Sequence, residues 1–593
     1  LMMKHITAIL SVLLLIACGG SDKTPEDVLK DSAGDAPLTD TPGDTSTDAK
    51  DQLGDEDTAE VEIGDTADDP GDAADDQSEV AQDIQEEIWY PEVNPPLPFG
   101  PENRGYEHKT GIVHIHSRWS HDGCFPDHAE ITSPEIEACA VNNQEQVEID
   151  QCKADIIEEM LNNCVNEYRN APCANGKEFM FQTDHPNYVR YQSFENALHY
   201  RPLEGDQMLR DDQDRLLANK MKCPAGSPID YTYIYYGIEG SQQMPIGMAD
   251  PIPDIVFDIS YHDAIPLEHA QAALAAAQEQ GGIGLICHPE QKDISVERIV
   301  AMPLELIEIF NFHPALMVLV EDITSLFTLD RFISDDDDAP NPDLSVMLVL
   351  KPIEKDVLKF DEAVKSIRLG HILATDIHRN VELPVICSDV ESCQENFFKD
   401  EPNLARLFTV GGPAILSDGD RIDSYIRSLK WASNHAWVDK TAPEHLAIRD
   451  AIGKARSYSA FDILGQADGF DLFAVVDEQP LEMGEEAKNY TDAKIYFRTP
   501  TVVKPLFASA KFGDPKDAEI VTKLIKIDAE QGSQVVKEVV GQGWTFEHPV
   551  DGPAIYRIEV WMTPKHLAAD LGDLAWMADQ QYPWIYSNAL FFR

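Results

Sequence analysis

Histidines and carboxylates recur in this chain where short apolar runs end. His114 and His116 stand two apart in Gly111-Ile112-Val113-His114-Ile115-His116, and residues i and i+2 of a strand project to the same side. Two imidazoles on one rigid strand can chelate a metal ion, although H-x-H alone is a common pattern. The later chain adds to it. His121-Asp122-Gly123 follows in a Ser/Asp/Gly turn, and Thr183-Asp184-His185 ends the run Phe179-Met180-Phe181-Gln182. Glu239 ends a Tyr- and Ile-rich run at 231–238, His262 ends residues 257–261, and His288-Pro289 ends residues 283–287. Glu308 lies within 304–310, and Asp376 and His378 close 371–377. So many donors in succession at strand ends rarely arise by chance, and metal binding is the chemistry they point to.

The elements that must carry these donors alternate between strand and helix. Residues 155–166 have a helical pattern, Pro266 opens an Ala-rich helix to 280, and a further helix spans about 360–368. Thr441-Ala442-Pro443-Glu444 matches a capping box that opens a helix to about 456. Apolar strands between helices predict parallel β/α units, and ligands collected at strand C-terminal ends suit a barrel. The fold class expected is therefore α/β, with a barrel over residues 100–465. Beyond it, runs at 470–476, 494–498, 519–528, 555–561 and 584–592 alternate between turn clusters. They predict an all-β, sandwich-like module over 466–593 that holds no cluster suggestive of chemistry.

Composition narrows the function. The chain has 593 residues and a formal net charge of -60, so it offers no electrostatic footprint for nucleic acid. Lys4 and the apolar run 6–16 form a short export leader, with Leu15-Ile16-Ala17-Cys18 at its end. This resembles the bacterial lipobox. The resemblance implies a signal peptide over 1–17, lipidation of Cys18, membrane attachment through that lipid alone, and a place in the cell envelope, with Gly19 favouring the outer membrane. Residues 18–90 are dominated by Asp, Thr, Gly, Ala and Pro; between 19 and 87 there are 24 acidic and 3 basic residues. That composition cannot bury enough apolar surface to offset chain entropy, so it predicts a disordered, self-repelling tether. Ten cysteines in an exported chain predict disulfides. Cys287 is the expected free thiol, and Cys387 and Cys393, six apart across a short loop, are an expected pair.

The ordered motifs H-x-H, a following Asp, T-D-H, a strand-end Glu, His, H-P and D-x-H resemble the PHP domain, the polymerase and histidinol phosphatase family of metallohydrolases. His-Ser-Arg-Trp-Ser-His-Asp-Gly further resembles its carbaryl hydrolase-like branch. The resemblance implies a distorted (β/α)7 barrel with two or three zinc, manganese or iron ions at its mouth. Carried over by position, His114, His116, Glu239 and Asp376 would hold one ion. Glu239 would bridge to a second, held by His262 and His288, while Asp122, His185 and His378 would hold a third. Gly123 after Asp122 matches the family's turn glycine, which leaves His121 as a neighbouring or substrate-facing group. Asp184 and Glu308 would orient ligands or pass protons. Where the family has an Asp two residues before the first histidine, this chain has Ile112. Paired cations would make a shared water acidic enough to attack an ester at neutral pH. The expected activity is hydrolysis of small phosphate esters. Hydrolysis of a carboxylic ester, carbamate or amide is the alternative, and metal or glycan binding without turnover is a third reading.

Overall fold

A computed structural model describes residues 97–124, 146–240, 242–250, 265–290, 294–321, 323–334, 336–350, 354–383, 385–399 and 402–593. The leader, Cys18, the acidic segment and His262 lie outside the described residues. The architecture is mixed α/β around one large mixed sheet. Its strands are β1 (Tyr106–Ile115), β2 (Phe179–Gln182), β3 (Gln207–Arg210), β4 (Leu216–Lys222), β5 (Tyr231–Gly237), β6 (Ile246–Met248), β7 (Leu285–Ile286), β8 (Leu306–Asn311) and β9 (Gly370–Ile377). Strand β1 runs parallel to both β2 and β9, β2 is parallel to β5, and β7, β8 and β9 are parallel in turn. Strand β6 is antiparallel to β5, and single bridges from Gln243 to Ile286 and from Ile246 to Ile283 connect it with β7. The β3–β4 hairpin adds to the outer part of β5.

Strands buried on both faces read as continuous apolar runs, which explains why these segments show little alternation. One face of the strands contributes Val113, Phe179, Phe181, Tyr235, Leu285, Cys287, Leu306 and Ala374 to an inner cluster. The other face, with Ile112, Met180, Ile234, Ile286 and Ile307, packs into a larger core shared with the helices. The helix predicted at 155–166 is far longer, Gln146–Ala174. No glycine interrupts it, and disulfides Cys124–Cys164 and Cys173–Cys223 pin it at two points. The Ala-rich helix is Leu267–Glu279, followed by Gly281 at φ +73°.

The capping-box expectation at Thr441 fails. The backbone N–H and the hydroxyl of Thr441 both donate to Asp439 Oδ1 at 2.7 Å, and Pro443 takes the N-cap position of helix Glu444–Gly453. An Asx turn competes for the same donor and wins because Asp439 ends the preceding strand.

The strand Ser433–Asp439 pairs antiparallel with the first half of β1, and through Ser457–Ala460 the sheet continues to Tyr582–Ser587, Ala554–Thr563, Glu519–Asp528 and Gly532–Val540. Strands on both sides of residue 465 thus share one sheet. A separate antiparallel sheet holds Gln479–Glu482, Asp471–Val476, Lys494–Arg498 and Thr545–Pro549. The run expected at 584–592 is split after Ser587, where the Asn588 side chain donates to the Ser457 and His371 carbonyls and accepts from the His371 N–H. A buried ion pair, Arg557 with Asp361 at 2.7 Å, adds a second tie between the two halves. Cys387 and Cys393 are joined, with Cα atoms 5.4 Å apart, and Cys287 is a free buried thiol. Among the described residues no helix is long and apolar enough to cross a membrane.

Candidate metal centre

Irregular backbone brings the donors together. The register of β1 against β2 and β9 shifts between Val113 and Ile115, and that of β8 against β9 shifts between Glu308 and Phe310. His114 (φ +64°), His288 (φ +49°) and Asp376 (φ +49°) all occupy the left-handed region. A side chain there costs of order 1–3 kcal/mol and persists only where its surroundings enforce it. Bulges redirect side chains, and these three direct theirs to one region.

Four atoms meet there. His114 Nε2 lies 3.1 Å from His116 Nε2, 3.1 Å from Glu239 Oε2 and 3.0 Å from Asp376 Oδ1. His116 Nε2 lies 3.0 Å from Glu239 Oε2 and 3.2 Å from Asp376 Oδ1. Ligands at about 2.0 Å from a tetrahedral ion stand about 3.3 Å apart, so these spacings match a four-coordinate cage. Asp376 Oδ1 is buried and makes no hydrogen bond despite its close imidazoles, and His378 Nε2 likewise makes none. Atoms so placed aim at a common point rather than at one another. The other carboxylate oxygen of Glu239, Oε1, faces His288 Nε2 at 2.9 Å.

Each of five imidazoles is fixed through its other nitrogen. His114 Nδ1 donates to Glu308 Oε1 at 2.5 Å, and His116 Nδ1 to Ser120 Oγ at 3.1 Å. His185 Nδ1 faces the Glu239 carbonyl at 3.4 Å, His288 Nδ1 faces Glu290 Oε1 at 3.2 Å, and His378 Nδ1 faces the Asp376 carbonyl at 3.1 Å. An acceptor at Nδ1 fixes the proton there and leaves the Nε2 lone pair for an ion. Glu308 also accepts from the His288 N–H and from Asn311 Nδ2, which itself donates to Asp376 Oδ2 at 3.0 Å. It therefore supplies the carboxylate that orients His114. Asp184 is wholly buried and engaged by the Ser117 N–H, the Ser117 hydroxyl and Gln182 Nε2. It holds the loop after β1.

A third group forms beside the first. Asp122 Oδ2 lies 3.2 Å from His378 Nε2 and 3.4 Å from His185 Nε2. The His121 ring is 4.9 Å from that of His185 and partly exposed. The structure thus brings His114, His116, His121, Asp122, His185, Glu239, Cys287, His288, Asp376 and His378 into adjoining groups able to hold metal ions, one of which is His121 with Asp122 and His185. Ser120, Glu290 and Asn311 were not anticipated from sequence, nor was His313, whose ring is 5.1 Å from that of His378. Ser120 lies four residues after His116 and Glu290 two after His288, a proximity that could have marked them.

The electrostatics complete the picture. Burial disfavours the charged form of every group here, but mutual attraction overrides it for most. Asp376, Glu239 and Glu308 outweigh burial and hold His114 protonated well above the usual imidazole range, and His116 is raised to about 9 against its burial by Asp376 and Glu239. Against the same burial penalty, the neighbouring imidazoles hold Glu239 and Asp376 well below the carboxylate range. His378 goes the other way: burial dominates, and its ring stacks at 3.8 Å on that of His116. Protons therefore balance the carboxylates, and an ion bound there displaces them.

No protein-family model, curated protein or solved structure matches this chain.

Proposed function

We propose that the chain is a PHP-type metal-dependent hydrolase acting on small phosphate esters, anchored in a bacterial envelope through a lipid on Cys18. The observation that carries the reading is the orientation of the five imidazoles, each tied at Nδ1, with Nε2 of His114, His116 and His288 turned to the Glu239 and Asp376 carboxylates and Nε2 of His185 and His378 turned to Asp122. The strand pairings from β9 through β1, β2, β5, β6, β7 and β8 return to β9, which supports the seven-stranded barrel.

Two or three zinc, manganese or iron ions bound there would polarise the ester and lower the pKa of attacking water. The chain's own residues do the rest. Glu308 and Ser120 keep His114 and His116 in the ligating tautomer, and Asn311 turns Asp376 so that Oδ1 faces the ions. Glu239 presents one oxygen to His114 and His116 and the other to His288, the disposition of a bridging carboxylate. His121, at the partly open side of the third group, faces incoming substrate.

The test is elemental analysis of the soluble chain without Cys18, with a panel of phosphomonoesters, phosphodiesters and carboxyl esters. Two or three ions per chain and phosphoester turnover abolished by chelation are expected. Fewer than one ion per chain, with no turnover on adding zinc, manganese or iron, would overturn the reading. Turnover of carboxyl esters alone would move it to the carboxyl ester, carbamate or amide class.

A further inference from the structure

Asp122 and its neighbour His121 are the donors of the described centre that sit on a loop away from any strand end. His114, Asp376 and His378 lie in or just after β1 and β9, but Asp122 comes seven residues after Ile115 ends β1. Its side chain is 25% exposed, against 1% for Asp376 and 4% for Glu239. Ordering such a loop costs entropy at every residue, and one carboxylate contact to an ion cannot offset that cost alone.

The loop is held from its far end. The Ser120 hydroxyl donates to Asp122 Oδ1 at 2.6 Å, the Gly123 N–H to the Ser120 carbonyl at 3.2 Å, and the Cys124 N–H to the carbonyl of His378 at 2.8 Å. The turn is tight: a Cβ on Gly123 would lie 2.0 Å from the Ser117 carbonyl oxygen. Cys124 itself has φ +67°, is buried, and is bonded to Cys164 of helix Gln146–Ala174. The same helix reaches the residue beside His378 and, through Tyr425, the carbonyl of His116. Its Glu167 pairs with Arg379, next to His378, at 2.9 Å and accepts from the Tyr425 N–H at 2.7 Å, while the Tyr425 hydroxyl donates to the carbonyl of His116 at 2.7 Å.

We infer that the Cys124–Cys164 disulfide is the positioning element of the third ion, so that a chain lacking it keeps the ions of the first two groups and loses the one at Asp122, His185 and His378. This rests on the metal-centre reading. The disulfide removes the freedom of the loop beforehand by fixing Cys124, two residues from Asp122, to a long helix that is already braced on Arg379 and Tyr425. Cys173–Cys223 joins that helix to the chain just after β4, on residues that carry no ligand, and so provides a control for the general effect of losing a crosslink.

The experiment is metal stoichiometry and metal titration on the purified holoprotein and on Cys124→Ala/Cys164→Ala, Cys173→Ala/Cys223→Ala and Asp122→Ala, with circular dichroism to check folding. The Cys124→Ala/Cys164→Ala variant should hold one ion fewer, or bind its weakest ion at least about tenfold less tightly, the scale seen when groups that support a ligand are removed. Asp122→Ala should lose the same ion, and the combined triple variant should lose no other. The Cys173→Ala/Cys223→Ala variant should keep the full count. If Cys124→Ala/Cys164→Ala does not fold, the native holoprotein is reduced with tris(2-carboxyethyl)phosphine. The phosphine gives two electrons to the S–S bond and takes an oxygen from water to become the phosphine oxide, while each sulfur takes a proton; release of one ion on reduction of Cys124–Cys164 is the expected result. An unchanged ion count without this disulfide, or equal loss in the control variant, would overturn the inference. A wild-type chain that binds no ion would instead strike down the proposed function.

Discussion

A histidine pair lies near each end of strand β1, one of them shared with the neighbouring strand Ser433–Asp439, and the two pairs do different things. Near its start, His108 Nε2 meets His435 Nδ1 at 2.9 Å, His435 Nε2 meets Asp462 Oδ1 at 3.3 Å, and Lys177 donates to Asp462 Oδ2 at 2.7 Å. The His435 and Tyr458 rings stack with centroids 4.6 Å apart. Each nitrogen there meets the next group along a chain of donors and acceptors, and the chain ends on an ammonium. Near the end of β1, His114 and His116 turn the same nitrogen, Nε2, toward each other and toward two carboxylates. Residue types alone do not separate the two clusters. What separates them is whether several ring nitrogens and carboxylate oxygens converge on one point and whether a protein cation already neutralises the carboxylate. Burial raises the Asp462 carboxyl, but Lys177 and His435 outweigh it and hold it well below its usual range, so that network is complete without an ion.

The largest effect is expected at Glu239, whose two oxygens face four histidines of the centre, His114, His116, His185 and His288. Under the proposed function, Glu239→Ala should remove the bound ions and, with them, turnover by at least about a hundredfold, as loss of a ligand exceeds the cost of losing a supporting group. Its far-UV spectrum should stay unchanged. Elemental analysis that still finds the full ion count would place the centre elsewhere.

At the other end, Asp462→Ala should leave the ion count intact and strand the buried Lys177 charge. Removing one partner of a buried pair costs about 3–5 kcal/mol, read as a lower midpoint in denaturant unfolding. A metal-depleted but equally stable variant would mean that the roles of the two clusters are exchanged.

A smaller effect follows from His371, near the start of β9, while Asp376 is near its end. His371 Nε2 donates to the Ser587 carbonyl at 2.8 Å, and burial, aided by Arg557, lowers its pKa to about 4. Its unfolded value is near 6.5, so the unfolded chain binds more protons between the two. The contribution is complete above about pH 6.5 and is lost as pH falls toward 4. One such group costs about 2 kcal/mol at pH 5. Urea unfolding of the metal-free chain at pH 7 and pH 5 measures it, and replacing His371 with Gln should flatten that pH dependence. An unaltered slope would remove His371 from the seam between β9 and the C-terminal strands.

Much of the centre was legible in the sequence because strand alternation and strand ends are local properties. Tyr231–Gly237 was visible as a strand that delivers Glu239 to its end, and β9 as one that delivers Asp376 and His378. Cys387 and Cys393, six apart, were readable as a pair. The Thr441 capping box was misread, because a hydroxyl that suits a helix cap also suits Asp439 two residues earlier and only the preceding strand decides between them. The helix at 146–174 was read too short, since its polar ends carry no signal apart from the packing and crosslinks that hold them.

By itself the sequence determined which donors exist and in what order they reach the strand ends, because a two-residue repeat and a turn need no distant partner. The tertiary structure decided what each donor does. Glu308 is 194 residues from His114, and only their meeting sets the tautomer of that imidazole. His108 and His435, 327 residues apart, likewise become a hydrogen-bonded pair rather than a ligand pair only on contact. A proton's position on an imidazole and the convergence of lone pairs depend on distance and angle between groups remote in the chain, and those are properties of the packed fold alone.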